Sequence, residues 1–508
     1  MDLIFILFII VIILITLYYY LTWNYDYWKK QKIPYAKNII PGFGNMLSII
    51  LSRQSFADLC EKFYKKNNKY SMFGLYQMRV PTLLIRDPEL VKNVLVTNFN
   101  NFANNQFQVG TSKLDRIFAI NPFFSKFDTW KENRAPLSNA FSSKKLKLML
   151  PFILNVGKNL EDYLKRKCSD EGKFEIELKQ FSNMFTGEIA AAGIGFQGHN
   201  FQDETESTKG RWAYKRFIER FFSEPFFTGG IQQVIFLYLP RMANFFHLSM
   251  IPEYVNKFFH ETVTNILKYR KKENIKSNDF LQIMVDYYRA NNLNIENNEA
   301  LISHMVTFAI EIYESSAITL SFLLFQLAAH SEIQEKVREE VMRIYEKNEK
   351  LDYDDFKEMT YLEQTLNESM RLNHVIGTML KVCTKETELI GSDGLTCKMK
   401  PGNVAVISTY GLQMDPNHWP NPEKFDPDRF SDEQKAGRNK FTFIPFGEGP
   451  RICVGMRMAT IIIKLVVATI LKNYQIQVSP KTPLPLKKNE ASFMTAFEKG
   501  LWVIFKPL

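Results

Sequence analysis

The stretch Pro445–Ala459, PFGEGPRICVGMRMA, constrains this chain more than any other. A single cysteine, Cys453, lies in a loop with Gly447, Gly449, Pro450 and Gly455, and Arg451 stands two residues before it. An apolar, helix-like run from Met456 to Leu471 follows. The loop therefore delivers Cys453 to the N-terminal end of a helix. There the helix dipole and a nearby cation favour a thiolate. Glycines at these positions remove side chains where a flat ligand has to approach the backbone. The competing reading is a buried structural cysteine in a turn.

Composition narrows the class. The chain has 508 residues and no internal linker, so it reads as one large globular unit. Its 43 phenylalanines fit an interior with a sizeable apolar cavity, although a greasy core alone gives the same count. The five cysteines, Cys60, Cys168, Cys383, Cys397 and Cys453, are scattered and form no CxxC pair. That argues against a disulfide framework or a zinc site and for a reducing compartment. The seven histidines show no metal-ligand spacing and read as surface or satisfied core residues. The net charge of +10 comes from dispersed lysines with no nucleic-acid motif. An anionic membrane surface or an acidic protein partner explains that sign better than nucleic acid.

The first residues form a second strong signal. From Leu3 to Trp23 there is no charged residue, and about twenty apolar residues span a bilayer as a helix. Tyr18, Tyr19, Tyr20, Trp23, Tyr25, Tyr27 and Trp28 read as an interfacial aromatic cluster, and Lys29, Lys30 and Lys32 should stay cytosolic. A cleaved signal peptide would have a basic n-region and a small-residue cleavage site, and neither is present. Residues 1–28 are thus expected to be a retained anchor. Residues 29–45, with Pro34, Pro41, Gly42 and Gly44, read as a stiff hinge, and residues 46–508 as the body.

A thiolate placed like Cys453 suits axial ligation of a haem iron. The segment resembles the cysteine loop of the cytochrome P-450 family, with Phe446, Gly449, Arg451, Cys453 and Gly455 at the family's spacing. The hinge resembles that of the family's microsomal members. The resemblance implies a mainly α fold with small peripheral β-sheets, a single haem domain, and heme b held by Cys453. The residue pattern agrees. Leu146–Lys167, Phe258–Lys272, Leu301–Ala329 and Glu332–Tyr345 have helical spacing, while Met72–Leu75, Thr82–Ile85, Val404–Ser408 and Leu501–Phe505 read as strands.

Glu368 and Arg371 share a helix face, as do Glu335/Arg338 and Glu340/Arg343, which read as solvated ion pairs. By resemblance, Glu368 and Arg371 join Arg429, from the run FDPDRF, in a buried network beneath the haem. Trp130 and Arg134, four apart, match a tryptophan and an arginine set against a haem propionate. Arg451 should meet the same carboxylates, since guanidinium pairs with them as a fork. Lys381 stands where the family usually has arginine or histidine.

The resemblance weakens on the helix expected across the distal haem face. Residues Ile302–Val341 and Tyr410–Leu486 look like insect microsomal members that act on foreign and plant-derived compounds. Those relatives have Ala-Gly before the acid and Thr after it. Here the corresponding residues are Glu311, Ile312 and Ser315, and Glu314 keeps the acid. Ile312 is expected to fill a groove that glycine leaves open and to stiffen the backbone. Ser315 keeps a hydroxyl, and by resemblance Glu314 and Ser315 would relay protons. Glu311, if it faces the haem, needs a partner or a raised pKa; otherwise it points to another helix face. Pocket walls by resemblance are Leu114–Ile120, Phe221–Phe227, Phe308, Met379 and Phe493–Phe497, all equally consistent with core packing.

The first reading is a monooxygenase of the endoplasmic reticulum membrane acting on small lipophilic substrates. NADPH–cytochrome P-450 reductase would supply electrons, with cytochrome b5 as a further partner, at a basic surface around Lys144, Lys145, Lys147 and Lys440. A second reading is a haem-thiolate isomerase or dehydratase needing no external electrons. A third is a haem-bound ligand sequesterer without catalysis.

Overall fold

The computed structural model describes residues 2–508 except 108–114, 170–171, 203–204, 206–212, 225–230, 250–251, 296–297, 349, 490–491 and 493. Leu114, residues 225–227 and Phe493 of the expected pocket wall lie outside the described residues.

The uncharged N-terminal run forms a helix, Asp2–Thr22, whose Leu3–Thr22 segment has mean hydropathy 2.9 and none of it buried in the protein. A helix this apolar needs a non-aqueous surrounding. The aromatic residues after it behave differently. Trp28 is fully buried, and its Nε1–H donates to the Leu75 carbonyl at 2.9 Å. The Tyr25 hydroxyl donates to the Ile40 carbonyl at 3.0 Å, and that of Tyr27 meets Asn403 Oδ1 at 2.6 Å. These three rings belong to the globular body, not to a membrane interface. The boundary drawn after residue 28 therefore falls within packed structure. The hinge is packed too: Gly74 N–H donates to the Pro34 carbonyl at 2.8 Å, and Ala36 N–H to the Gly74 carbonyl at 2.9 Å.

The body is mainly helical, with sheets at its margins. Strands β1 (Met72–Gln77), β2 (Val80–Ile85), β3 (Asn104–Asn105), β5 (Thr378–Val382) and β8 (Val404–Ser408) form one sheet in the order β1-β2-β8-β5-β3. Only the β2–β8 pairing in it is parallel. Strands β4 (Phe174–Glu177), β9 (Tyr474–Val478) and β10 (Trp502–Pro507) form a second sheet, and β6 (Thr387–Ile390) pairs with β7 (Thr396–Met399). The β3–β5 register sets Asn105 opposite Lys381, which places Lys381 at the site described below.

The longest helix, Glu299–Ala329, starts where Asn298 Oδ1 accepts the Leu301 N–H at 3.0 Å. It is long and apolar enough to cross a membrane, but 83% of its most apolar window is buried, so it is the central core helix. It packs along the helix Leu178–Gly193. The approach requires glycine at 193, where a Cβ would lie 2.2 Å from Phe308 Cε1. Phe308 stacks on Phe280 at 4.2 Å, so it is a core residue rather than a pocket wall.

Two sequence readings are corrected here. Glu340 is buried and accepts the backbone N–H groups of Tyr361 and Leu362 at 2.8 and 2.9 Å, while Arg343 turns to the Glu339 carbonyl. Arg338 does contact Glu335, but it is buried and donates to the carbonyls of Leu471 and Tyr474. Neither side chain sits in a solvated pair; both tie helix ends together. His304, on the central helix, is fully buried, and neither ring nitrogen has a partner among the described residues. It is not a satisfied core histidine.

Candidate active site

Cys453 follows a tight double turn. Its N–H donates to the Phe446 carbonyl at 2.9 Å, and Ile452 N–H to the Gly449 carbonyl at 3.0 Å. Gly449 has φ +77°, and a Cβ there would lie 2.1 Å from the Leu95 carbonyl oxygen. Gly455 then caps the helix Met456–Asn473. The Sγ atom receives the backbone N–H groups of Gly455 and Met456, as expected at a helix start. Burial nevertheless pushes the Cys453 thiol above its ordinary value, and Glu311 adds to this, against the two N–H groups and Arg134. Arg134 is a cation that acts on the sulfur, and it does not outweigh desolvation. A bound metal cation would deprotonate the thiol outright.

Cys453 and Glu311 both present free surface, yet both are enclosed by protein. They line one internal space between the cysteine loop and the central helix, close enough for the Glu311 charge to act on the thiol. Glu311 therefore does not point to a remote helix face.

Three cations border the cysteine side of this region. Arg451 donates to the carbonyls of Pro122 and Ser125 at 2.8 and 3.0 Å, and its guanidinium lies 4.7 Å from the centre of the buried Trp130 ring. Arg134 donates to the Ile452 carbonyl at 2.6 Å. Lys381 Nζ donates to Asn105 Oδ1 at 2.7 Å. Burial, with Arg451 as second cause, lowers Lys381 to about 7; burial and Arg134 lower Arg451 to about 10. Among the described residues none of the three has a carboxylate partner. Buried cations left without acids favour a ligand that brings its own.

Glu368, Arg371 and Arg429 come together in one buried cluster. Arg371 grips Glu368 through both guanidinium edges at 2.7 and 2.8 Å, and both side chains are fully buried. Arg371 also donates to the carbonyls of Gln413 and Pro422, at 2.9 and 2.7 Å. Arg429 Nε reaches Glu368 Oε1 at 3.4 Å, and Asp426 N–H donates to the same oxygen at 2.9 Å. Burial raises Glu368, and the two arginines and the N–H counter it. Sequence reasoning missed Trp419 and Arg438: the Arg438 guanidinium stacks 3.9 Å from the Trp419 ring, beside Arg371. For Trp419 the signal was available in DPNHWPNPEKF, which runs into FDPDRF, whereas Arg438 lies beyond that run.

A family model of cytochrome P450 matches residues 34–503. The chain belongs to the cytochrome P450 family. It is 30% identical to probable cytochrome P450 28d1 of Drosophila melanogaster, over 98% of each chain. It is 29% identical to cytochrome P450 9e2 of Blattella germanica, over 95% of this chain and 94% of that one. It is also 30% identical to cytochrome P450 3A31 of Mesocricetus auratus, over 94% of this chain and 92% of that one. As a P450 it is a monooxygenase, an oxidoreductase whose haem iron takes a cysteine thiolate as ligand. The residues fit that group. One enclosed thiol sits at a helix start, and three cations without acids can take two haem carboxylates.

The distal side of this P450 is less regular. Thr307, Glu311 and Ser315 share a helix face. Asn121 donates to Thr307 Oγ1 at 3.0 Å, and its amide is the group that counters the burial of the Glu311 carboxyl. Ser315 Oγ donates to the Glu311 carbonyl at 2.6 Å, so its proton is engaged within the helix. Glu314 turns elsewhere and meets Lys179 Nζ at 2.7 Å. Ile312 is half-buried against the apolar core. Met379 Sδ lies 3.7 Å from a Cβ built on Gly447, beside the cysteine loop. Asn121 had no sequence signal, because its partner Thr307 lies 186 residues away.

Proposed function

We propose that Cys453 holds the iron of heme b in a membrane-anchored monooxygenase acting on small lipophilic compounds. Arg134, Arg451 and Lys381 neutralise the haem carboxylates, and Trp130 backs Arg451. When bound, the haem supplies dioxygen activation, with one oxygen atom entering the substrate. Glu314, tied to the part-exposed Lys179, carries protons inward, and Ser315 passes them on once its Oγ releases the Glu311 carbonyl. Glu368, Arg371 and Arg429 hold the fold around the site and take no part in chemistry.

Electrons come from NADPH through cytochrome P-450 reductase, with cytochrome b5 as a further donor, at the basic surface of Lys144, Lys145, Lys147 and Lys440. Lys147 and Lys440 have acidic partners within the chain, at 2.8 and 3.9 Å, which a docking protein would have to compete with. The anchor crosses the endoplasmic reticulum membrane once and leaves the body cytosolic. Digestion of intact microsomes should therefore remove the body, whereas its protection would reverse the orientation.

The observation that carries the reading is an enclosed Cys453 at a helix start beside three cations that lack acids. The full chain, reconstituted with reductase and lipid, should consume NADPH in step with an oxygenated product from a lipophilic substrate. Conversion of a lipid hydroperoxide without NADPH would favour the isomerase or dehydratase reading instead. Ligand binding with neither activity would favour the sequesterer.

A further inference from the structure

Glu311 is an exception among the enclosed acids of this protein. Glu368 is gripped by Arg371, Asp415 lies 3.2 Å from Arg86, and Asp279 is paired with Arg270. Glu340 takes two backbone N–H groups and the Thr360 hydroxyl. Glu314, one turn from Glu311, has Lys179. Glu311 has the Asn121 amide, and no lysine, arginine or histidine pairs with it among the described residues. That amide is shared: it also serves Thr307, and its oxygen takes the Phe123 N–H at 2.8 Å. The neighbours of Glu311 along the helix, Thr307, Phe308, Ile310 and Tyr313, are all buried, yet its own side chain opens into the internal space.

We infer that Glu311 is the recognition point for a cationic, lipophilic substrate, its carboxylate pairing with a substrate ammonium inside the protein. The inference rests on the monooxygenase reading above and names the substrate class. A carboxylate enclosed by protein keeps its proton or acquires a cation, and the described residues provide no cation there. The haem carboxylates take up Arg134, Arg451 and Lys381, so Glu311 is the charge left for a substrate to meet. The apolar remainder of such a substrate is what the monooxygenase reading already requires.

The test uses the haem-loaded full chain and two probes of the same shape. One is 4-phenylbutyltrimethylammonium, which can neither lose its charge nor ligate iron; the other is its neutral carbon isostere, (5,5-dimethylhexyl)benzene. Affinities are measured by equilibrium dialysis for the native protein and for Glu311→Gln and Glu311→Asp, with haem content checked for each. The ratio of ammonium to isostere affinity should fall at least about tenfold in Glu311→Gln and less in Glu311→Asp, with isostere binding within about twofold of native. An unchanged ratio overturns the inference, as does failure of the native protein to bind the ammonium. Reductase-supported oxygenation of a neutral compound by Glu311→Gln separates the two proposals. If it occurs and the ratio is flat, only the substrate class is wrong. If the ratio falls but no variant oxygenates anything, the monooxygenase reading fails and the cation site stands.

Discussion

The two walls of the internal space are built on different terms. On the cysteine side the groups left over are cationic: Arg134, Arg451 and Lys381 have no carboxylate partner among the described residues, and Arg451 Nε has no hydrogen-bond partner. Glu368 and Arg371 satisfy each other, the loop carbonyls are taken, and the glycines sit where nothing else fits. On the side of the central helix, polar groups are left over. Among the described residues the Glu311 carboxyl has a single shared amide, and elsewhere on that helix both His304 nitrogens and the Tyr313 hydroxyl have no partner. Unpaired cations favour a ligand that brings its own acids, whereas an unpaired acid favours one that brings a cation. The two proposals above thus place cofactor holding and substrate choice on opposite walls.

The largest effect expected from breaking this contrast is at the cysteine. Cys453→Ser should abolish the red-shifted Soret band of the ferrous–CO complex, and a mutant that keeps the band would remove the ligand assignment. Next comes the network behind it. Glu368→Ala or Arg371→Ala strands a buried charge and should cost about 3–5 kcal/mol, giving haem-poor protein with a lowered denaturation midpoint. Haem-replete, native-like mutants would show that the network is not structural.

On the distal wall, substitutions should alter performance while the fold survives. Glu311→Ala with Ile312→Gly restores the small pair of the relatives and should raise the ratio of product to NADPH consumed for a neutral substrate. The helix-interior glycine costs only about 0.5–1 kcal/mol. If the native enzyme already couples tightly and the double change does nothing, Ile312 does not crowd the reaction.

The smallest effect is at His304. Burial lowers its pKa to about 4, so between pH 6.5 and 4 it is neutral in the fold and charged in the unfolded chain. The unfolded state binds more protons there, and stability falls as pH falls through that window. His304→Leu removes two unpaired polar atoms. It should raise stability by about 1 kcal/mol near neutrality and flatten the acid slope, read from denaturant melts at pH 7 and 5. A less stable variant would reveal a partner for the imidazole.

The sequence was most legible where chemistry is local. The cysteine loop, the helix after it and the spacing of Glu368 to Arg371 are short-range patterns, and the structure has a loop, a helix and a contact at those places. The anchor was equally plain in its apolar run, but its end was not. Tyr25, Tyr27 and Trp28 have the composition of an interface belt, and only their bonds to Leu75, Ile40 and Asn403 assign them to the body. Arg338 and Glu340 misled for a related reason. The i,i+3 spacing marks a surface pair, while the partners that bury them lie in other elements.

By itself the sequence determined that this chain has a membrane-length apolar helix, a thiol at a helix start and a mainly helical body. Helical periodicity, glycine geometry and hydropathy act within a few residues, so a one-dimensional reading captures them. Tertiary structure alone decided that Arg134 reaches the sulfur, that Phe308 is core, and that Glu311 lies close enough to act on the cysteine. Those outcomes depend on helix phase and on loops such as Asn121–Ser125, which reach both the central helix and Arg451. A carboxylate is paired or left over according to what folding brings within a few ångströms, and no spacing along the chain records that.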